Sequence, residues 1–150
     1  MKKLINTAMI YMILALVMGV FYREFTKFYQ FTGITTLSVT HTHLFILGVF
    51  LLLMLALFLK DDIHLYQSSL FQKFFILYNI SLPFFIVMLV TRGIVEVLNI
   101  PLSHSMDAMI AGIAGLSHIL LTVSLILYFI ILRKKIYSKS IFFFTPIITQ

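Results

Sequence analysis

The sequence contains no cysteine and no tryptophan, and only five of its 150 residues are acidic. Without cysteine the chain forms no disulfide, thiolate metal site or cysteine nucleophile, so a metal must be held by histidine, carboxylate or methionine sulfur. Hydrophobic residues make up 61% of the chain and charged residues 11%, and the mean hydropathy is +1.09. This composition excludes a soluble domain, because a soluble core cannot bury so much apolar surface.

Four long apolar runs dominate the sequence. Each is close to the ~20 residues that a helix needs to cross ~30 Å of hydrocarbon, and in lipid such a segment satisfies its backbone only as a helix. We therefore predict an all-α, integral membrane four-helix bundle in the cell membrane, formed by one domain of residues 1–150. The predicted spans are residues 4–22, 37–59, 70–99 and 107–132.

The lysines and arginines give the chain a net charge of +6 and lie mainly at the ends of the apolar runs. Most of them precede the first span, separate the second span from the third, or follow the fourth, so the positive-inside rule predicts that both termini are cytoplasmic. They form no solvated basic stripe, which argues against nucleic acid as a partner and leaves the lipid bilayer. Residues 141–149 are apolar but too short to cross, and we expect this tail at the membrane interface.

The polar residues inside the spans concentrate in the half of the bundle that is predicted to face outward. With a helical rise of ~1.5 Å per residue, His43 and Arg92 lie roughly 9–10 Å below the outer ends of spans two and three. His118 lies ~14–17 Å below the outer end of span four by the same rise. It shares a helix face with Gly115, and small residues beside a histidine leave room for a flat ring or for a closely packed helix.

Two histidines from different helices at similar depth, with arginines toward the same side, are what a membrane b-type heme requires. The iron takes two imidazoles, and the heme propionates pair with arginine. We predict His118 and either His43 or His41 as axial ligands. His41 and His43 lie roughly 200° apart around a helix, so only one of them can be a ligand, and the spacing does not decide which. Arg92 and Arg23 are the candidate partners of the propionates.

Each of these residues also has an ordinary structural interpretation. A buried histidine can bond to a neighbouring helix, and a strip of small residues can serve helix packing. Arg92 and Glu96 are four residues apart and can neutralise each other near the interface. The sequence contains no paired-carboxylate site, activated nucleophile or phosphate-binding glycine loop, so a non-enzymatic role is favoured.

Three functions follow from these interpretations. The first is a small heme-binding protein in electron transfer, heme handling or redox sensing. The second is a copper-handling protein or respiratory oxidase assembly factor, which would bind copper through His41, His43, His104 and nearby methionine. The third is a cofactor-free membrane scaffold or small-solute permease, which at this size would have to oligomerise. A respiratory-chain protein or a second copy of the chain is the expected partner.

Several separated motifs resemble a known family. They are Gly19–Lys27 (GVFYREFTK), His41–Gly48 (HTHLFILG), Tyr78–Asn79 and Gly112–Ile119 (GIAGLSHI). Together they resemble a small bacterial membrane family catalogued as domain of unknown function 2871, through nearly the whole chain. The family has no established activity, so the resemblance implies the four-helix fold and supports the choice of histidines.

A looser likeness covers one helix. The histidine-x-histidine segment at His41 and His43 is similar to that of the heme- and copper-containing NnrS membrane proteins. It is also similar to the histidine-bearing helices of heme-copper oxidase subunits and their assembly factors. The chain lacks the further histidines with which such oxidases build a copper centre beside a heme, which argues against oxygen reduction.

Overall fold

The computed structural model describes the backbone of residues 1–144 and the side chains of residues 1–137. This part of the chain is largely helical, and four of its helices are long and apolar enough to cross a membrane. The predicted all-α four-helix architecture is therefore confirmed, whereas the cytoplasmic location of the termini stays a prediction. The helices are α1 (Lys2–Phe28), α2 (Leu37–Leu59), the short α3 (Ile63–Gln67), α4 (Ser69–Val97) and α5 (His104–Phe144).

We name each end of the bundle after one residue that lies there. The Arg92 end carries the connections 29–36 and 98–103, and the Lys60 end carries the start of α1 and the connection 60–68. The predicted topology puts the Arg92 end outside and the Lys60 end in the cytoplasm. Part of the predicted tail 141–149 continues α5 to Phe144, and the rest of that tail lies outside the described residues.

Local sequence signals account for both ends of α4. The helix begins after Ser68, whose hydroxyl accepts a hydrogen bond of 3.2 Å from the backbone N–H of Phe71. Ser is a favourable residue at this position because its oxygen satisfies a backbone donor that the first turn leaves free. The helix tolerates Pro83 within its length and ends before Asn99, which has a φ of 48°. Asparagine adopts this left-handed conformation more readily than most residues and so terminates the helix.

Helices α4 and α5 pack along a seam of buried residues that recur every three or four positions. This spacing keeps one face of each helix against its partner over several turns. At the middle of the seam, the hydroxyls of Ser81 and Ser124 are 3.2 Å apart. Small hydroxyl residues allow close approach and hydrogen bonding between membrane helices. The seam contains Phe71, Phe74, Tyr78, Ser81, Phe85 and Met88 on α4, and Ser117, Leu121, Ser124, Tyr128, Ile131 and Lys135 on α5.

Helix α1 packs against α2 through a glycine. A Cβ atom on Gly48 would lie 2.6 Å from the Cβ atom of Tyr11, so the approach of the two helices requires glycine at this position. The Tyr11 hydroxyl then donates a 3.0 Å hydrogen bond to Oδ1 of Asn79 on α4. This bond links the α1–α2 pair to the α4–α5 pair through the interior of the bundle.

Residues Leu44–Phe50 of α2 are wound as a π-helix. In this winding each N–H reaches back five residues, and short π segments often occur at functional sites. The carbonyl of Leu47 accepts a 2.7 Å hydrogen bond from the buried hydroxyl of Tyr78, so a polar side chain of α4 contacts the π segment. The segment begins directly after His43, which places a local irregularity beside one of the three candidate ligands.

Candidate functional site

His43 on α2 and His118 on α5 both lie close to one phenylalanine ring. The centroid of the Phe85 ring is 5.5 Å from that of His43 and 4.7 Å from that of His118. The His118 ring meets Phe85 edge-on, with an angle of 84° between the planes. Phe85 is buried on α4, His43 is half-buried and His118 is exposed. The rings of the two histidines, which come from different helices, therefore lie near the same phenylalanine ring.

Both imidazoles are bound to their own helix in the same way. Nδ1 of His43 is 2.7 Å from the carbonyl oxygen of Val39, and Nδ1 of His118 is 2.8 Å from that of Ala114. A carbonyl oxygen can only accept, so each Nδ1 carries the proton and, in the neutral ring, each Nε2 has a free lone pair. Within the part of the chain whose side chains are described, neither Nε2 has a hydrogen-bond partner. Metal-binding histidines are commonly oriented by this kind of bond to a backbone carbonyl.

The first part of α5 leaves open space beside His118. Between His104 and Leu116 no residue of the helix is buried. Cβ atoms added to Gly112 and Gly115 would meet nothing within 4 Å. The small residues near His118 therefore do not serve close helix packing within the described chain, and they leave room next to the imidazole.

His41 faces away from this pair and toward α1. Its Cβ and Cγ atoms would lie 3.8 Å from a Cβ atom added to Gly19. Its Nδ1 is buried and has no hydrogen-bond partner among the described residues. The structure thus brings His43 together with His118 and places His41 in a different interface, a distinction that the two-residue spacing left open.

Arg92 is held between two carboxylates. It donates a hydrogen bond to Asp107 of α5, and its Nε is 3.6 Å from Oε1 of Glu96. Glu96 in turn accepts a 2.7 Å hydrogen bond from the backbone N–H of Thr36, at the start of α2. No sequence pattern predicts the contact between Glu96 and Thr36, since the two residues are 60 positions apart. This network joins α2, α4 and α5 at the Arg92 end.

Arg23, the second candidate for a propionate, is placed differently. Its side chain is 79% exposed, and its Nε is 3.8 Å from the carboxylate of Glu24. Such an exposed pair contributes little energy. Arg23 is therefore the less constrained of the two arginines, although α1 carries it beside α2 rather than beside α5.

The described residues contain no group of three or more histidines, cysteines or acidic residues that could hold a metal ion. A site at His43 and His118 therefore offers two strong protein ligands. Two neutral imidazoles are sufficient when a macrocycle supplies the other donor atoms, as in heme proteins. Such a pair of imidazoles would therefore suit only a metal that arrives with further ligands of its own.

The profile of a family described as "Protein of unknown function (DUF2871)" matches residues 1–135. The chain belongs to this family. The match confirms the resemblance stated from the sequence motifs, and the DUF2871 region contains both histidines of the site and all seam residues of α4 and α5. No curated protein and no solved structure matches the chain.

Proposed function

We propose that this protein is a small, multi-pass heme protein of the cell membrane, in which His43 and His118 are the axial ligands of a b-type heme. Electron transfer, heme handling and redox sensing are the roles open to such a protein. One observation carries the proposal. The two imidazoles approach the same Phe85 ring from different helices, each with Nδ1 bound to its own helix and Nε2 unpartnered among the described side chains.

The residues present fit the chemistry of this group. Hydrogen bonds to Val39 and Ala114 keep both histidines in the tautomer that has a free Nε2. The open space beside Gly112 and Gly115 suits a flat, apolar ring. A bound heme would supply one-electron chemistry, while the protein would supply the two ligands and an apolar surround. Arg23 is the preferred propionate partner, since Arg92 already contacts two carboxylates.

The absorption spectrum of the purified protein tests the proposal. The full chain is produced in heme-sufficient cells, purified in detergent and, if colourless, titrated with hemin. We expect a Soret band that is lost or shifted in His43→Ala and in His118→Ala. His41→Ala is the matched control and should keep the band, because His41 faces α1. Absence of a Soret band after hemin titration, or a band that both ligand variants retain, would overturn the proposal.

Copper handling is the second candidate, and the free Nε2 atoms of His43 and His118 favour it as well. Cu(I) binds imidazole and thioether ligands. The small number of clustered protein ligands argues for heme over a copper centre built from side chains alone. Metal analysis of the same preparation separates the two, since copper without porphyrin supports the second candidate. A colourless, metal-free protein that is indifferent to histidine replacement would instead support a scaffold or permease.

A further inference from the structure

A groove at the Lys60 end runs between the start of α1 and the segment formed by α3 and the first two turns of α4. Three of its lining residues are polar and four are aromatic or aliphatic. Among the described side chains, no carboxylate lines it. The lining residues are Lys3, Tyr66, Gln67, Phe71, Gln72, Phe75 and Ile76.

Three of the apolar lining residues are aromatic rings in a row, in which Phe71 neighbours both Tyr66 and Phe75. The centroids of Tyr66 and Phe71 are 4.7 Å apart, and those of Phe71 and Phe75 are 5.9 Å apart with nearly parallel planes. The row continues along α4 to Ile76, whose side chain is 62% exposed. Since α4 crosses the membrane, this surface leads from the Lys60 end toward the hydrocarbon region.

The polar lining residues of the groove are one cation and two amides. Lys3 supplies the positive charge, and the side chains of Gln67 and Gln72 supply hydrogen-bond donors. The side-chain amide of Gln72 donates only a long hydrogen bond of 3.4 Å to the backbone carbonyl of Gln67. A hydrogen bond of this length is weak, so the amide remains available to a ligand. A cation with nearby donors is suited to a phosphate group.

We propose that this groove binds one phospholipid with an anionic headgroup, whose phosphate lies near Lys3 and whose acyl chain follows Phe75 and Ile76. Lys3 and Gln67 lie at the Lys60 end of the bundle, and Phe75 and Ile76 lie further along α4, so the groove follows the order of headgroup and chain in a lipid. A soluble phosphate would make no use of Phe75 and Ile76. Basic pockets between membrane helices on the cytoplasmic side are known to suit anionic lipids, and the predicted topology puts the groove on that side.

Charge distinguishes this groove from the cleft at the opposite end. The cleft beside Arg92 is lined by the carboxylates of Glu96 and Asp107, which repel a phosphate and already neutralise the arginine. The proposal is independent of any cofactor at His43 and His118, because no residue is shared between the two sites.

Native mass spectrometry of the delipidated full chain in detergent tests the proposal. The probes are dioleoylphosphatidylglycerol, dioleoylphosphatidylcholine and glycerol 3-phosphate. We expect one molecule of phosphatidylglycerol to bind in preference to phosphatidylcholine. Lys3→Gln should weaken this binding roughly fivefold, the effect of one basic residue near an anionic lipid. Lys2→Gln is the matched control, since it removes the same charge from the neighbouring position and does not line the groove.

Three results would overturn the proposal. Equal weakening by Lys2→Gln and Lys3→Gln would show general attraction to a basic surface. Equal retention of the two lipids would show that the headgroup charge is not recognised. Competition by glycerol 3-phosphate at the concentration of the lipid would show a site for soluble phosphates. The substituted side chains are exposed, so both variants are expected to fold.

Discussion

Arg92 on α4 donates a hydrogen bond to Asp107 on α5, in a stretch of α5 that buries no side chain. The seam between α4 and α5 ends at Ser117, so residues 104–116 depend on few contacts other than this ion pair. His118 lies next to the end of the seam. We therefore expect the Arg92–Asp107 pair to restrain the part of α5 that leads to His118.

Asp107→Asn should loosen the first part of α5. An exposed ion pair is worth up to about 1 kcal/mol, so we expect a shift in populations rather than unfolding. Because the chain has no cysteine, spin labels can be attached to Ile46→Cys on α2 and Met109→Cys on α5, both of which are exposed. The distance distribution between the labels should broaden in Asp107→Asn. If the distribution in Asp107→Asn is as narrow as in the labelled protein that keeps Asp107, the ion pair does not restrain α5.

Gly93→Ala should destabilise the protein. A Cβ atom at this position would lie 2.6 Å from the backbone nitrogen of Leu37, and backbone cannot yield as a flexible side chain can. Overpacking of this kind costs typically 1–3 kcal/mol. Gly112→Ala is the matched control, because a Cβ atom at this position would meet no described atom within 4 Å. Alanine also favours a helix more than glycine does. Thermal unfolding in detergent should show a lower midpoint for the first variant and an equal or higher midpoint for the second.

Gly115→Leu distinguishes a cofactor space from a packing contact. The added side chain has open space in the cofactor-free protein. The free energy of unfolding, measured by thermal unfolding, should therefore change by no more than about 0.5 kcal/mol, the range of surface substitutions. Under the heme proposal the leucine occupies room beside His118, and hemin binding should weaken by tenfold or more, the equivalent of about 1.4 kcal/mol. A variant that binds hemin as the parent does would remove Gly115 from the site.

The stability of the Lys60 end should depend on pH through Asp62. Its carboxylate accepts a hydrogen bond from the backbone N–H of Leu65 and bonds to the buried Lys135, at distances of 2.9 and 3.1 Å. These contacts lower the pKa of Asp62, the bond from Leu65 most of all. The ionised group therefore stabilises the folded state above the ordinary aspartate value of about 3.9. That stability is lost as the pH falls below this value, through the folded pKa.

Thermal unfolding between pH 3 and pH 7 measures this contribution. The parent protein should lose stability at the acidic end of the range, and Asp62→Asn should show a smaller dependence because its side chain does not titrate. Asp61→Asn serves as the control, since it removes the same charge from an exposed neighbouring side chain. Identical pH profiles for the parent and Asp62→Asn would contradict the assignment.

Much of the fold could be predicted from the sequence because apolar length is the dominant signal in a membrane helix. The predicted span 37–59 coincides with helix Leu37–Leu59. The π segment Leu44–Phe50 could not be predicted, because its sequence LFILGVF suits an α-helix equally well. The contacts of this segment come from residues that are far away in the sequence, namely the hydroxyl of Tyr78 on α4 and the side chain of Tyr11 beside Gly48.

The candidate site was predicted less completely. The depth of His43 and His118 follows from helical rise, and the structure brings both to Phe85. The orientation of His41 toward Gly19 depends on how α1 packs, which one sequence does not reveal. Arg92 was expected near Glu96 from their spacing, whereas its bond to Asp107 depends on the turn between α4 and α5.

The end of the α4–α5 seam at Ser117 has a mechanical consequence. Among the described residues of α5, those with buried side chains are Ser117 and residues that follow it. Residues 104–116 bury no side chain. Bending or swinging of residues 104–116 would thus disturb no packed layer. Under the heme proposal, a movement of this segment that breaks the Arg92–Asp107 pair would admit the cofactor beside His118 while the α4–α5 seam stays packed.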